Sequence, residues 1–167
     1  KAGFTAPADA AKDRRITAGS GPYSVMPNPK DGSIWYAIGT FAGPPGFLRF
    51  DPKTKLSEVY YIPKPGFGIR GGDIDSQGVA WAALASGHLG AFDRRKCKGP
   101  LNGPTATGKH CPEGWTLYPL PGPQLGGVTD NGSGETPYYA WVDQHDTLGL
   151  GKDVPIATGN QNDSLIA

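Results

Sequence analysis

Two stretches of the chain share one order of apolar, small and polar positions. Residues 32–51 read GSIWYAIGTFAGPPGFLRFD, and residues 78–93 read GVAWAALASGHLGAFD. Each begins with Gly, reaches a Trp three positions later, continues through a short apolar run, turns at a Gly and ends on Phe-Asp. Short apolar runs bounded by turn residues predict β-strands. The chain is therefore expected to contain a repeated unit of strands and turns.

Each copy extends to four predicted strands, joined by turns that contain Gly, Pro, Asn and Asp. In the first copy the predicted strands cover residues 22–26, 33–38, 47–50 and 57–62. In the second copy they cover residues 72–74, 79–84, 88–92 and 115–118. Four short strands that follow one another with turns between them form an up-and-down antiparallel meander.

The spacing of the copies indicates their architecture. Trp35 and Trp81 occupy matching positions about 45 residues apart, and a period of this length with four strands per unit is typical of a β-propeller blade. A four-stranded sheet cannot bury its faces alone, so each blade is expected to bury a Trp or Phe against its neighbour. The predicted fold class is all-β, an incomplete propeller of two blades plus a partial third.

The predicted organisation has four parts. They are an N-terminal arm or linker at 1–20, a blade at 21–66, a blade at 67–123 and an insertion loop with the start of a further blade at 124–167. In the last part, strands are predicted at 138–142 and 164–167, with a long loop between them. Because propellers have about 4 to 8 blades, the remaining blades are expected from a longer chain or from partner chains.

Composition supports a turn-rich β-protein and argues against some partners. The 167 residues include 26 Gly and 17 Pro, but also four Trp, seven Tyr and six Phe, which supply core material. The net charge is +1, so no nucleic-acid-binding surface is expected. The basic run Arg94-Arg95-Lys96 is expected in a solvated loop. No apolar run of about 18 residues occurs, so no membrane span is expected.

The two cysteines enclose a short polar loop. Cys97 and Cys111 bound CKGPLNGPTATGKHC, whose interior is polar and rich in Gly, Pro and Thr, so that it has no packing of its own. A disulfide here would stabilise the protein by about 3 kcal/mol by restricting the unfolded chain. It would also indicate an oxidising compartment, so we expect a secreted or periplasmic protein. The alternative is a metal site with His110 and Cys111, which lacks further ligands nearby.

Two histidines are candidate catalytic or metal-binding residues. His88 follows a predicted turn, where it would be a base or ligand, or an exposed residue at a strand edge. His145 lies between Asp143 and Asp146 in the phrase DQHD. Two carboxylates beside an imidazole can bind a metal or a partner and raise the pKa of the ring. Neighbours on a strand point to opposite faces, however, so only alternate members would converge.

A further candidate lies where the second blade begins. Arg70 is placed where innermost strands approach a channel, so it is expected to contact an anion or partner, or to pair with Asp73. The phrase DIDSQG at 73–78 resembles the start of a calcium loop but lacks the later acidic ligands. The other interpretation is a turn, in which Asp75 binds its own backbone and Gly78 is left-handed.

The blade phrase GGDIDSQGVAWAALASGHLGAFDRR, followed by WTLYPLPGP, resembles the streptogramin lyase (virginiamycin B lyase) family of β-propellers, especially its long secreted bacterial members. The resemblance covers 21–123. It implies metal-dependent opening of a cyclic lactone by elimination, with a divalent metal such as Mg²⁺ and with His and Glu at the channel mouth. Family enzymes carry an acidic residue shortly after the blade Trp. Here Trp35 and Trp81 are followed by YAI and AAL, so the expected acidic and metal-binding positions are absent from these blades.

Three functions follow from these observations. The first is a secreted or periplasmic propeller module, part of a longer lyase-like protein, that binds a ligand or protein partner and needs no cofactor. The second is an active lyase whose catalytic blades lie elsewhere and which needs the divalent metal. The third is a structural subunit of a larger assembly, docked through 123–167. Whether the protein is an enzyme stays open at this stage.

Overall fold

The computed structural model describes residues 22–40, 42–123, 134–161 and 163–167. In these residues the chain forms three antiparallel sheets and two single-turn 3₁₀ helices. The all-β prediction is confirmed. The predicted N-terminal arm at 1–20 and the first ten residues of the predicted insertion loop, 124–133, lie outside the described residues.

Each sheet follows the order of its strands along the chain. The first sheet comprises β1 (Val25–Pro27), β2 (Ile34–Ile38), β3 (Gly46–Phe50) and β4 (Ser57–Tyr61). The second comprises β5 (Ile69–Ile74), β6 (Ala80–Leu84), β7 (His88–Phe92) and β8 (Trp115–Pro119). The third comprises β9 (Ala140–Asp143), β10 (Val154–Gly159) and β11 (Ser164–Ile166). Each is an antiparallel meander, as the repeat predicted.

The third sheet differs from the prediction. A single long loop was expected between the strands at 138–142 and 164–167, but β10 lies inside it. This segment contains Pro155 and ends in Gly159, residues that are uncommon in strand interiors. It forms a strand because it pairs with β9 on one side and β11 on the other. Tertiary pairing therefore overrides a local turn signal.

The sheets contact one another in chain order. The first strand of the second sheet, β5, contacts β1 and β2 on one side and β9 on the other. Hydrogen bonds strengthen the second contact: the Val142 N–H donates to Asp73 Oδ2 at 3.0 Å, and Ser76 Oγ donates to Asp153 Oδ2 at 2.6 Å. The first strands of the three sheets therefore lie side by side.

The larger core lies between the first two sheets. Its aromatic members are Trp35, Phe47, Tyr60, Phe92 and Trp115. Each comes from a different strand, and contacts such as that between Phe47 and Trp115 join the facing surfaces of the two sheets. A smaller cluster, formed mainly by Ala and Leu side chains, joins the second and third sheets. The expectation that each repeat buries an aromatic side chain against its neighbour is met by Trp35.

A buried ion network crosses the same interface. Arg94 Nε and Nη2 donate to the Glu58 carboxylate, each at 2.6 Å, and Arg49 Nη1 donates to it at 3.3 Å. Tyr60 Oη also donates to this carboxylate at 2.6 Å, and burial together with Glu58 raises the pKa of Tyr60. The basic run after Asp93 forms a 3₁₀ helix at Arg94–Lys96. Arg95 and Lys96 are exposed, as expected, but Arg94 is half-buried and ties the second sheet to the first.

The predicted disulfide is present. Cys97 and Cys111 are joined, so the alternative metal site with His110 does not form. The loop between them packs against the first sheet: Tyr61 N–H donates to the Gly108 carbonyl at 2.7 Å, and the His110 ring lies 5.2 Å from the Tyr60 ring. The disulfide therefore holds a segment that covers the interface between the two sheets.

Candidate functional site

Arg70 and three tyrosines meet where the three first strands converge. Tyr23 precedes β1, Arg70 belongs to β5, and Tyr138 and Tyr139 precede β9. The Arg70 guanidinium carbon lies 4.6 Å from the centre of the Tyr138 ring. The Tyr138 ring lies edge-on to Tyr23 at 5.9 Å and 5.0 Å from Tyr139. Each sheet thus contributes to one cluster, which we call the Arg70 cluster.

Local backbone contacts position the two tyrosines of the third sheet. The Gly71 N–H donates to the Tyr138 carbonyl at 3.0 Å, which ties this segment to β5. A Cβ at Gly71 would lie only 2.5 Å from the Tyr139 ring, so glycine is needed for this close approach. The backbone N–H groups of Tyr138 and Tyr139 both donate to Thr158 Oγ1, at 3.1 and 3.2 Å.

The surroundings of Tyr23 favour its neutral form. The side-chain hydrogen bond to Tyr138, followed by burial, raises the pKa of Tyr23 well above its ordinary value. The Tyr23 hydroxyl is therefore protonated throughout the physiological pH range. Among the described residues no carboxylate forms an ion pair with Arg70. Asp73, the other predicted partner, instead accepts from the N–H groups of Ile74 and Val142.

This arrangement can bind an anionic group next to a ring. A guanidinium offers a planar fork of N–H donors that matches a carboxylate or phosphate. The Tyr138 ring covers one face of Arg70 and so orients the fork. Tyr139 is exposed and presents an apolar ring surface to the solvent. An acid with an adjoining flat or apolar part would contact both groups.

The predicted cluster of Asp143, His145 and Asp146 has a different arrangement. Asp143 is buried, and its carboxylate accepts backbone N–H groups from His145, Thr147 and Leu148. These bonds, above all the one from Thr147, hold the pKa of Asp143 below its ordinary value despite its burial. Asp146 accepts from a later backbone N–H of the same loop, and His145 is exposed. The two carboxylates organise the turn after β9.

His88 lies at the start of β7 and is only 2% exposed. Its Nδ1 is 3.1 Å from Ser86 Oγ. The alternative of an exposed residue at a strand edge is therefore wrong, because His88 is paired between Leu84 of β6 and Pro119 of β8. A substrate would not reach this imidazole without movement of the neighbouring strands.

The phrase DIDSQG forms a turn. Asp75 Oδ1 accepts from the N–H groups of Gln77 and Val79, each at 2.9 Å, and Gly78 has a φ of 85°. Both features agree with the turn interpretation. Over the described parts of the chain, no group of three or more His, Cys, Asp or Glu side chains is placed to hold a metal ion.

Sequence reasoning singled out Arg70 but missed the tyrosines beside it. A signal was available, since Pro22-Tyr23 and Pro137-Tyr138 are each separated by a single residue from the first strand of a sheet. The signal was weak because nothing local shows that two segments more than a hundred residues apart meet at Arg70.

Comparison with known proteins adds no relative. No family model, no curated protein and no solved structure matches this chain. In the described residues no helix has the length and apolar character needed to cross a membrane.

Proposed function

We propose that this chain is a binding module, part of a secreted or periplasmic β-propeller, and that the Arg70 cluster binds an anionic ligand or an acidic group of a partner. The observation that carries the proposal is Arg70 itself. It is a cation with no carboxylate partner among the described residues, held by an aromatic ring at the meeting point of three sheets.

The arrangement of the sheets supports the propeller. Each is a meander in chain order, and their first strands lie side by side, as the inner strands of blades do around a channel. In such an arrangement the channel end is built from the residues in and before the first strands. Tyr23, Arg70 and Tyr138 occupy these positions. Ligands of closed β-folds commonly bind at such openings.

The disulfide supports an oxidising compartment. Intramolecular disulfides persist in secreted and periplasmic proteins and are rare in the reducing cytosol. The Cys97–Cys111 bridge holds a loop that packs on the neighbouring sheet. A reducing environment would loosen this cover.

The test uses a small probe with the two features that the Arg70 cluster would recognise. Benzoate carries a carboxylate for Arg70 and a ring for Tyr139, whereas acetate lacks the ring and benzyl alcohol lacks the charge. Titration followed by NMR should show saturable benzoate binding with a Kd of about 1 mM, equivalent to about −4 kcal/mol. Both control compounds should bind more weakly.

Two variants with the same change of charge make the test specific. Arg70→Gln should weaken benzoate binding by about tenfold or more, since a charge-assisted hydrogen bond contributes about 1.5–3 kcal/mol. Arg95→Gln removes an exposed arginine that pairs with Asp93 and should leave the affinity unchanged. Equal weakening by both variants, or unchanged binding in Arg70→Gln, would refute the proposed site.

A further inference from the structure

The first two sheets repeat one cross-strand row of side chains. In the first sheet the row runs across β2, β3 and β4 and consists of Ala37, Phe47 and Tyr60. In the second sheet it runs across β6, β7 and β8 and consists of Ala83, Leu89 and Tyr118. Residues directly opposite one another in antiparallel strands lie on the same face of a sheet. The first row contacts Phe92 and Trp115 of the second sheet, and the second row shares a core cluster with Ala157 of the third, so each row faces the sheet that follows in the chain.

A stacked Trp–Tyr pair repeats with the row. Trp35 stacks on Tyr60 at 6.0 Å with an interplanar angle of 18°, and Trp81 stacks on Tyr118 at 5.9 Å with an angle of 23°. The two pairs have one geometry but different cover. Tyr60 is fully buried, whereas Tyr118 is 48% exposed. The difference must come from what lies above each pair.

The second sheet covers the first with its last two strands, β7 and β8. Phe92 of β7 lies 4.4 Å from the Tyr60 ring. Trp115, the first residue of β8, stacks on Phe47 at 5.3 Å with an angle of only 6°. The fourth strand of one sheet therefore completes the cover over the row of the preceding sheet.

The third sheet aligns with the second through an aspartate turn. Asp75 comes directly after β5 and Asp143 is the last residue of β9, and each accepts two or more backbone N–H groups of the turn that comes next. Ala140 and Gly72 lie at the same distance before these aspartates, and Ala157 of β10 pairs with Ala140 as Ala82 of β6 pairs with Gly72, so Ala157 corresponds to Ala82. Ile166 lies opposite Ala157, as Gly90 of β7 lies opposite Ala82. By this alignment β11 is the counterpart of β7.

A counterpart of β8 is missing from the described residues. In these residues β11 is the outer strand of the third sheet, and no strand pairs with its outer edge. At this edge a groove of about 390 Å³ opens between the second and third sheets. It is apolar, and its lining includes Trp81, Leu89, Tyr118, Leu120, Pro155 and Ile166. The groove thus borders Trp81, Leu89 and Tyr118, and of these Tyr118 is the large side chain left exposed.

We propose that the outer edge of β11 and this groove bind an extended strand with the side-chain pattern of β8. The strand would run antiparallel to β11 and place an aliphatic side chain opposite Ile166, where Leu117 lies opposite Gly90 in the second sheet. Two residues earlier, an aromatic side chain would lie over Leu89, as Trp115 lies over Phe47. Strand addition at a sheet edge combines backbone hydrogen bonds with pockets for alternate side chains.

The probe is a capped peptide with the sequence GWTLYP, which is that of residues 114–119. It is titrated into the isotopically labelled 167-residue chain and followed by NMR. We expect saturable one-to-one binding, with shifts in the amide signals of β11 and in the indole N–H signal of Trp81. A peptide with Ser in place of Trp and Leu should bind at least about tenfold more weakly, since it cannot fill the groove.

Backbone methylation tests whether the peptide forms a strand. Methyl groups on alternate peptide nitrogens block one edge of a strand and leave the other intact. One of the two alternate series should abolish binding and the other should retain it. If both series bind equally, the groove takes apolar side chains without strand pairing and the proposal is wrong.

Variants of the chain separate this site from the Arg70 cluster. Tyr118→Ser should weaken peptide binding and leave benzoate binding unchanged, whereas Arg70→Gln should do the reverse. Amide spectra of both variants report whether the fold is retained. The proposal would be overturned if the peptide caused no shifts at millimolar concentration, or if the serine peptide bound equally well. It would also be overturned if sedimentation showed that the chain forms a dimer, and if this dimer used the β11 edge and did not bind the peptide.

Discussion

Replacement of Glu58 by threonine tests the ion network that crosses the first interface. The Glu58 side chain is 2% exposed and accepts hydrogen bonds from Arg49, Arg94 and Tyr60. Thr116 occupies the matching position in the second sheet, in a row with Trp81 and Ala91, just as Glu58 lies in a row with Trp35 and Arg49. Threonine is therefore compatible with this position of the repeat.

The magnitude follows from what each partner loses. Removing one member of a buried ion pair costs about 3–5 kcal/mol, because the other charge stays buried and unpaired. Arg49 keeps Asp31 at 3.0 Å, and the side chain of Arg94 is 29% exposed and can turn towards water. The cost of Glu58→Thr should therefore lie at the lower end, about 3 kcal/mol of the free energy of unfolding.

A double variant distinguishes ion pairing from packing. Arg49→Ala combined with Glu58→Thr reproduces the row of the second sheet, with Ala91 and Thr116, and leaves no unpaired charge from this pair. Replacing a whole buried pair is far less costly than breaking it. We therefore expect the double variant to cost less than the sum of the single ones by about 1.5 kcal/mol or more.

The assay is urea unfolding at neutral pH, followed by tryptophan fluorescence, with the slope of the transition checked for each variant. Glu113→Thr serves as the control. That carboxylate is more accessible and accepts the backbone N–H of Lys98, so its loss should cost much less than the loss of Glu58. The reasoning is refuted if Glu58→Thr costs no more than this control, or if the costs of Arg49→Ala and Glu58→Thr simply add.

Three further predictions follow from the structure. Replacing both Cys97 and Cys111 by Ser should lower the free energy of unfolding by about 3 kcal/mol, measured by urea unfolding against the oxidised wild type; no difference would mean that the loop entropy is unimportant. Asp143 has a lowered pKa in the folded protein, so its contribution to stability is complete above the unfolded pKa of about 4 and is lost as the pH falls through the folded value. Asp143→Asn should therefore reduce the loss of unfolding free energy at acidic pH, and an unchanged loss would contradict this. Gly39→Ala should destabilise the protein more than Gly32→Ala in thermal unfolding. Both glycines have positive φ, but only at Gly39 would the new Cβ overlap a backbone group, the carbonyl of Pro44, whereas nothing lies within 4 Å of it at Gly32.

The sequence predicted the repeated sheets because their signals are local. Alternating apolar residues, turn glycines and the aspartate of the turn at Asp75 act over a few positions, and all eight predicted strands of the two copies are present. The disulfide was predictable for the same reason, since Cys97 and Cys111 enclose a short polar loop. β10 was missed because its formation depends on pairing with β9 and β11, against its own composition.

The candidate site could be predicted only in part. Arg70 was found from its place at the start of a repeat, but Tyr23 and Tyr138 reach it from distant parts of the chain. Arg94 was assigned to solvent because its partner, Glu58, lies in another sheet. Long-range contacts of this kind have no local pattern in a single sequence.

The two Trp–Tyr pairs show where the information in the sequence ends. The sequence alone determined that Trp35 and Trp81 occupy equivalent positions, and the structure gives both pairs the same stacking geometry. Only the tertiary structure decided that Tyr60 is buried and Tyr118 exposed. The physical reason is that strand periodicity sets which face a side chain points to, whereas burial depends on what the neighbouring sheet places above that face.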